Sequence, residues 1–155
     1  MFGFLRPADS ANSHRLGRSA LFAGLSLGEL KIVEGFMHDR RYLPGEVIFD
    51  EREEGQALYV IASGSVLICR QGQADRPIAR LGTGDFFGEL ALLDDSPRSA
   101  QARAADTTEI AVLFRGDFER LLQSHAHIAS HIAMALARHL GQRLRQMVAG
   151  NGAAG

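Results

Sequence analysis

The 155-residue chain is long enough to bury one hydrophobic core without disulfides or metals, and it is too short for two substantial domains. Its hydrophobic fraction of 46% and charged fraction of 23% exclude a disordered or a fibrous protein. The formal net charge of -1 excludes a chain-wide basic surface that holds DNA by neutralising phosphates, so we expect no DNA binding by this chain alone.

Membrane and redox signals are weak in this sequence. No apolar run reaches the ~18 residues that a membrane-spanning helix needs, and the apolar start at residues 1–5 is too short for a signal-peptide core. The single cysteine, Cys69, lies in an apolar run and is expected to be a buried, reduced thiol. These features favour a cytoplasmic protein with no transmembrane segment.

Residues 1–20 are predicted to form a flexible N-terminal arm, because turn-forming residues dominate and apolar periodicity is weak. The apolar tip at residues 1–5 suits either an anchor for a membrane or partner, or a segment that is disordered or packs on the domain. A capping-box pattern follows at Ser26 and Glu29, and apolar residues then recur at helical spacing. This pattern predicts a helix over about residues 26–36.

The pattern changes at residue 38 to short runs rich in β-branched and aromatic residues, separated by glycines. That spacing is typical of an all-β roll or barrel, which we place at about residues 38–115. The runs that predict strands lie at residues 46–49, 58–62, 65–70, 77–81 and 108–114. Strand spacing lapses at residues 87–93, where a continuous apolar run predicts a short helix within the barrel.

Helical periodicity returns over about residues 116–148, and the glycines and alanines of residues 149–155 predict a disordered tail. The last helix carries an apolar row and, beside it, a row of small residues that would let another helix approach closely. The apolar row is Ile132, Leu136, Leu140 and Leu144, and the small row is Ala126, Ala129, Ala133, Ala137 and Gly141. The helix therefore suits a homodimer, or else a single helix that docks only on its own barrel.

Residues 84–100 combine groups that suit a phosphorylated sugar. Gly88 lets the backbone approach a ligand closely, and a helix that starts near Glu89 presents free N–H groups to an anion. The planar guanidinium of Arg98 can pair two phosphate oxygens, and the Ser99 hydroxyl and the Ala100 amide offer further donors.

The Glu89 carboxylate only accepts hydrogen bonds when ionised, so it suits a sugar hydroxyl beside the anion rather than the anion itself. Taken one by one, these residues have ordinary structural alternatives. Arg98 could form a surface ion pair with Asp94 or Asp95, and Glu89 could simply favour the dipole at a helix start.

Residues 84–100 resemble the phosphate-binding cassette of the cyclic-nucleotide-binding domain family, whose pattern is Phe-Gly-Glu-Leu-Ala-Leu-Leu, a short gap, Pro-Arg followed by Ser, Thr or Ala, and then Ala. Residues 44–49, 58–66 and 81–85 resemble strand and turn motifs of the same family in the same order. The resemblance covers about residues 21–148, which we take as the domain. It implies a mainly β fold: an eight-stranded β-roll or jelly roll interrupted by a short phosphate-binding helix, with an N-terminal helix and a long C-terminal helix.

The same resemblance implies a role for each matching position. Glu89 would bind the ribose 2′-hydroxyl and Arg98 the cyclic phosphate, while Ser99 and the amides beside Glu89 complete the cradle. The expected ligand-binding residues are Phe87, Gly88, Glu89, Leu90, Ala91, Arg98, Ser99, Ala100, Ile68 and Arg143. Ile68 and Phe87 are apolar walls or plain core residues, and Arg143 is a lid contact from the C-terminal helix or a solvated cation.

The expected function is that of a cyclic-nucleotide-binding regulatory module that moves its C-terminal helix and signals in trans to an unknown effector protein. In the family that the cassette resembles, serine or alanine after the arginine is frequent in cAMP-binding members and threonine in cGMP-binding ones, so Ser99 implies cAMP as the ligand, with cGMP as the alternative. A second alternative is an excised regulatory domain of a channel, kinase or transporter. Regulators like catabolite activator protein carry a further DNA-binding domain, which we do not expect in this chain.

We expect no catalysis, no cofactor and no metal. An enzyme acting on cyclic nucleotides needs a metal pair or a positioned base near the phosphate, and the sequence offers neither. The histidines at one end of the last helix could hold a metal, but no acidic residue or cysteine joins them locally. These histidines are His125, His127, His131 and His139.

Overall fold

The computed structural model describes residues 14–95 and 97–154, with side chains up to residue 150. Eight strands are β1 (His38–Tyr42), β2 (Val47–Phe49), β3 (Ala57–Ser63), β4 (Val66–Cys69), β5 (Ala79–Leu81), β6 (Phe86–Phe87), β7 (Gln101–Ala104) and β8 (Thr108–Phe114). The helices are α1 (Leu27–Glu34), α2 (Arg115–Ser124) and α3 (Ala126–Ala154), with 3-10 turns at Ala20–Phe22 and Glu89–Leu92. The second turn is called the cassette helix below.

The strands form two four-stranded antiparallel sheets, with the orders β1-β8-β3-β6 and β2-β7-β4-β5. This arrangement confirms the mainly β, eight-stranded fold with flanking helices. Three strands were not predicted from their own sequences: β1, β6 and β7. Strand β1 departs furthest from a strand pattern, because four of its five residues are exposed and it carries charges rather than alternating apolar residues.

Strands β3 and β8 separate two hydrophobic clusters, because successive side chains of a strand point to opposite faces. On one face, Leu58, Val60 and Leu113 pack against residues of the helices. On the other face, Ile61 and Ile110 pack in the space between the two sheets. The sheet β1-β8-β3-β6 is therefore covered on both faces, which explains why its middle strands, β8 and β3, are nearly continuous apolar runs.

Helix α1 begins as the sequence predicts. The Ser26 hydroxyl accepts a hydrogen bond from the Glu29 amide at 3.1 Å, and the Glu29 carboxylate accepts one from the Ser26 amide at 2.9 Å. The predicted arm needs a correction, because Leu16 is completely buried and Ser19 caps the turn Ala20–Phe22. Residues 14–20 thus belong to the packed domain, whereas the rest of the predicted arm and its apolar tip lie outside the described residues.

Helix α3 differs from the expectation in two ways. It continues to Ala154, so residues 149–154 are helical where a disordered tail was predicted. Its apolar row also divides: Leu136 is buried, but Leu144 is 61% exposed. Eight residues turn a helix by about 80° beyond two full turns, so Leu144 points away from the barrel that Leu136 contacts. In residues 14–95 and 97–154, no helix is long and apolar enough to cross a bilayer.

Candidate functional site

The site is built around a sharp change of backbone direction between β6 and the cassette helix. Gly88 makes this change with a φ of +75°, in the left-handed region that glycine tolerates best. A Cβ atom at this position would lie 2.7 Å from Nη1 of Arg98. Glycine is therefore required twice over, by the backbone and by the close approach of Arg98.

The Arg98 side chain points inward and is 8% exposed. Its Nη1 donates to the Gly88 carbonyl at 3.1 Å and its Nη2 donates to the Ala57 carbonyl at 3.0 Å. The surface ion pair with Asp94 or Asp95 that was left open is thereby excluded, and among the described residues no carboxylate lies within ion-pair distance of Arg98. Its Nε atom is buried and has no hydrogen-bond partner in the described part of the chain.

Aromatic rings form the floor beneath this guanidinium. Its central carbon lies 4.2 Å from the ring centroid of Phe49 and 5.5 Å from that of Tyr59. The Tyr59 ring stacks on Phe87, with 5.1 Å between centroids. Burial lowers the pKa of Arg98, but a guanidinium stays protonated in proteins, so the site holds a desolvated positive charge.

The loop between β2 and β3 fixes the backbone of Arg98. The Arg52 amide donates to the Arg98 carbonyl at 2.7 Å, and the Arg98 amide donates to the Glu53 carbonyl at 2.8 Å. In the same loop, a Cβ atom on Gly55 would lie 2.0 Å from Nε of Arg98, so only glycine fits there. These loop residues were not predicted as site residues, because nothing in their local pattern shows that they lie against the cassette.

Glu89 is the first residue of the cassette helix, and it is only 5% exposed. Its Oε1 accepts a hydrogen bond at 2.9 Å from Nη1 of Arg143, which belongs to α3. The structure thus brings the C-terminal helix over the cassette and places Arg143 on the predicted sugar-binding carboxylate. A buried carboxylate beside an anion site would repel the anion, and this arginine offsets that charge.

The other predicted residues take different positions around this centre. Phe87 is buried among the rings, Ile68 is half-buried against the same cluster, and Ser99 is exposed beside Arg98. The expected cradle is only partly open, since the Ala91 amide donates to the Gly88 carbonyl at 3.2 Å. The remaining members, Leu90 and Ala100, are exposed and half-buried respectively.

The histidines of α3 face different parts of the fold. The His131 ring contacts the Ala23 carbonyl, and the His139 ring packs on Phe86 with 4.5 Å between centroids. No group of three or more histidine, cysteine or acidic residues that suits a metal ion occurs in residues 14–95 and 97–154.

The chain is similar to known proteins in family, sequence and structure. The family model described as "Cyclic nucleotide-binding domain" matches residues 39–125. The "Cyclic AMP receptor protein" of Thermus thermophilus is 41% identical over 124 residues, which is 79% of this chain. A "cAMP-dependent protein kinase regulatory subunit" of Emericella nidulans is 42% identical over 82 residues, or 53% of this chain.

The crystal structure of "Thermus thermophilus Catabolite Activator Protein" has a TM-score of 0.76 and 38% sequence identity, and the match covers 86% of this chain and 62% of that chain. The chain spans 57% of the length of the Thermus thermophilus receptor protein and 20% of the length of the kinase subunit. The matched range contains all eight strands except the first residue of β1, together with Gly88, Glu89 and Arg98. The chain belongs to the cyclic nucleotide-binding domain family.

Proposed function

We propose that this protein is a cytoplasmic regulatory module that binds cAMP and has no catalytic activity of its own. The observation that carries the proposal is the buried guanidinium of Arg98, which has no carboxylate partner among the described residues. A desolvated cation is costly unless an anion neutralises it, and a cyclic phosphate carries the single negative charge that is needed.

The phosphate would replace weaker acceptors. The two carbonyls that now accept from Arg98 are neutral, whereas hydrogen bonds to a charged phosphate are roughly twice as strong. The rings of Phe49 and Tyr59 keep the guanidinium in place while its hydrogen-bond partners change. Arg98 is thus positioned before the ligand arrives.

Glu89 would bind the sugar of the same ligand. Its Oε1 is taken by Arg143, and its Oε2 is left to accept a hydrogen bond from the ribose 2′-hydroxyl. Ser99 beside Arg98 supports an adenine base, as does the name of the 41% identical receptor protein. The alternative ligand is cGMP, since a serine hydroxyl can also serve guanine.

The output would come from α3. Because Arg143 of α3 contacts Glu89, a sugar that binds Glu89 changes the contact that holds this helix against the cassette. The exposed side of α3 carries a row at heptad spacing that suits a second copy of the same helix: Met134, Ala137, Gly141, Leu144 and Val148. We propose a homodimer through this row and an effector protein that senses the helix in trans. An excised regulatory domain of a channel, kinase or transporter would bind the nucleotide in the same way.

Titration calorimetry with cAMP tests the proposal. We expect wild type to bind, and the variant Arg98→Ala to bind about ten- to 150-fold more weakly, because a charge-assisted contact is worth about 1.5–3 kcal/mol. The matched control is Arg80→Ala, which removes an arginine whose side chain is 61% exposed on β5. Equal affinity of Arg98→Ala and Arg80→Ala would defeat the proposal, and a parallel titration with cGMP decides between the two ligands.

A further inference from the structure

Arg115 joins the far end of the cassette to the C-terminal helices. Its Nε and Nη2 donate to the Ala91 carbonyl at 2.9 and 2.6 Å. Its Nη2 also donates to the Asp94 carbonyl, and its Nη1 donates to an Asp95 carboxylate oxygen at 2.5 Å. One side chain therefore binds three residues of the segment that runs from the cassette helix towards Arg98.

The position of Arg115 in the chain makes these contacts consequential. It is the first residue of α2, and its amide also donates to the Gln56 carbonyl at 2.8 Å. Helix α2 ends at Ser124, and α3 begins only two residues later at Ala126, so a single residue joins the two helices. The side chain is 21% exposed, so its contacts are partly shielded from solvent.

We infer that Arg115 is a positioning residue that couples the cassette to α2 and α3. It takes no part in contacting the nucleotide. A ligand that draws the cassette helix inward pulls the Ala91 carbonyl, and the guanidinium carries that displacement to the start of α2. Arg143 of α3 contacts the opposite end of the cassette helix, so the contacts of Arg115 and Arg143 hold that helix at both ends.

Arginine suits this role because its planar fork serves several acceptors in one geometry. A lysine at the same position would keep the charge beside Asp95, but one ammonium group cannot hold the Ala91 carbonyl in two hydrogen bonds. The inference rests on the proposed function, since it concerns how nucleotide binding is transmitted. Arg115 lies outside the cassette motif, so the motif alone does not identify its role.

Hydrogen–deuterium exchange with and without cAMP tests this role on the full chain. In wild type we expect cAMP to slow exchange in residues 86–100 and to change exchange in residues 126–150. In Arg115→Ala the change in residues 126–150 should fall by at least about fivefold, while the protection of residues 86–100 by cAMP persists. Arg120→Ala is the matched control, because Arg120 lies on the same helix and is 67% exposed; it should behave as wild type.

The lysine variant keeps the test decisive if the alanine variant does not fold. Arg115→Lys should give an intermediate response in residues 126–150, since one contact with Asp95 remains. A full response in Arg115→Ala or in Arg115→Lys overturns the inference, even when both bind cAMP. If wild type itself gives no binding heat with cAMP, the proposed function fails, and the signalling role of Arg115 fails with it.

Discussion

Two side chains of opposite charge at the site favour different groups of a ligand. Arg98 offers a buried positive charge, and Glu89 offers a carboxylate whose repulsion of an anion is offset by Arg143. A ligand that satisfies both must carry a negative charge and, close to it, a hydroxyl that donates a hydrogen bond. Discrimination between nucleotides with and without a 2′-hydroxyl should therefore depend on Glu89.

We predict that Glu89→Gln loses this discrimination. Wild type should bind cAMP about tenfold or more tightly than 2′-deoxy-cAMP, because loss of the 2′-hydroxyl removes one hydrogen bond to a charged acceptor. In the variant the two affinities should differ by less than about threefold. Titration of both ligands into both proteins measures the ratio, and Glu119→Gln on α2 serves as a control outside the site. An unchanged ratio in Glu89→Gln would show that the sugar is held elsewhere.

The backbone conformation of Arg52 lowers the stability of the fold. Its φ is +73°, and it is the one non-glycine residue in the left-handed region among the described residues. For a residue with a Cβ atom this conformation costs about 1–2 kcal/mol, which glycine avoids. We predict that Arg52→Gly raises the free energy of unfolding. Relief of the backbone strain should contribute about 1 kcal/mol, and the larger entropy of a glycine in the unfolded chain reduces this gain.

Urea unfolding of Arg52→Gly measures this gain. Arg76→Gly provides the comparison, since Arg76 lies in another exposed loop and its φ is not positive. The comparison variant should be neutral or slightly destabilised, because glycine there gains nothing from the backbone. If both variants shift stability in the same direction and by the same amount, strain at Arg52 is not the cause.

At the scale of elements, one carboxylate adds ion pairs to the apolar contact between α1 and the preceding segment. Glu34 pairs with Arg15 Nε at 2.5 Å and with His14 Nε2 at 2.9 Å. Burial alone raises the pKa of Glu34, but its hydrogen bonds and charge interactions with Arg15 and His14 outweigh burial and hold that pKa below its ordinary value. The ionised carboxylate therefore stabilises the fold.

The pKa of Glu34 is lower in the folded than in the unfolded chain, so its contribution is complete above the unfolded pKa of about 4.3 and is lost as pH falls through the folded value. We predict that Glu34→Gln is less stable than wild type at pH 7 and that this difference shrinks as the pH falls below about 4. Thermal unfolding as a function of pH measures the difference. A gap between the two proteins that stays constant with pH would contradict the prediction.

The helices and strands differ in how well the sequence predicts them. Helix α1 and the apolar strands β3, β4 and β8 have strong local patterns, and the structure confirms them. Strand β1 could not be recognised, because its polar residues become a strand only by pairing with all five residues from Thr108 to Val112. The cassette motif identified Glu89 and Arg98. Phe49, Tyr59 and Arg115 reach the cassette from other strands and from α2, a placement that only the tertiary fold provides.

At the scale of the whole molecule, the proposed homodimer depends on the exposed row of α3 that contains Met134, Ala137, Gly141, Leu144 and Val148. Leu144 and Val148 are 61% and 63% exposed, and two copies packed along this row would bury them. We predict that wild type is a dimer and that Leu144→Glu is a monomer at micromolar concentration, because burying an unpaired carboxylate costs several kcal/mol. Light scattering after gel filtration measures the mass of each.

The control for the dimer is Gln142→Glu, which adds the same charge to α3 at an exposed position outside the row. It should remain dimeric. A monomeric wild type at high micromolar concentration, with or without cAMP, would contradict the dimer and leave α3 as a helix that serves its own domain.

Helix α3 is anchored along most of its length, and only its last turns extend past the contact with the cassette. The helix is held by Ile128, Ile132 and Leu136, which are each at most 4% exposed, and it then continues to Ala154. Beyond Arg143, which binds Glu89, the remaining residues extend about 17 Å at 1.5 Å each, so a tilt of 10° about that contact would displace the tip by about 3 Å. If ligand binding tilts α3 in this way, the end of the helix is the part whose displacement an effector protein would sense.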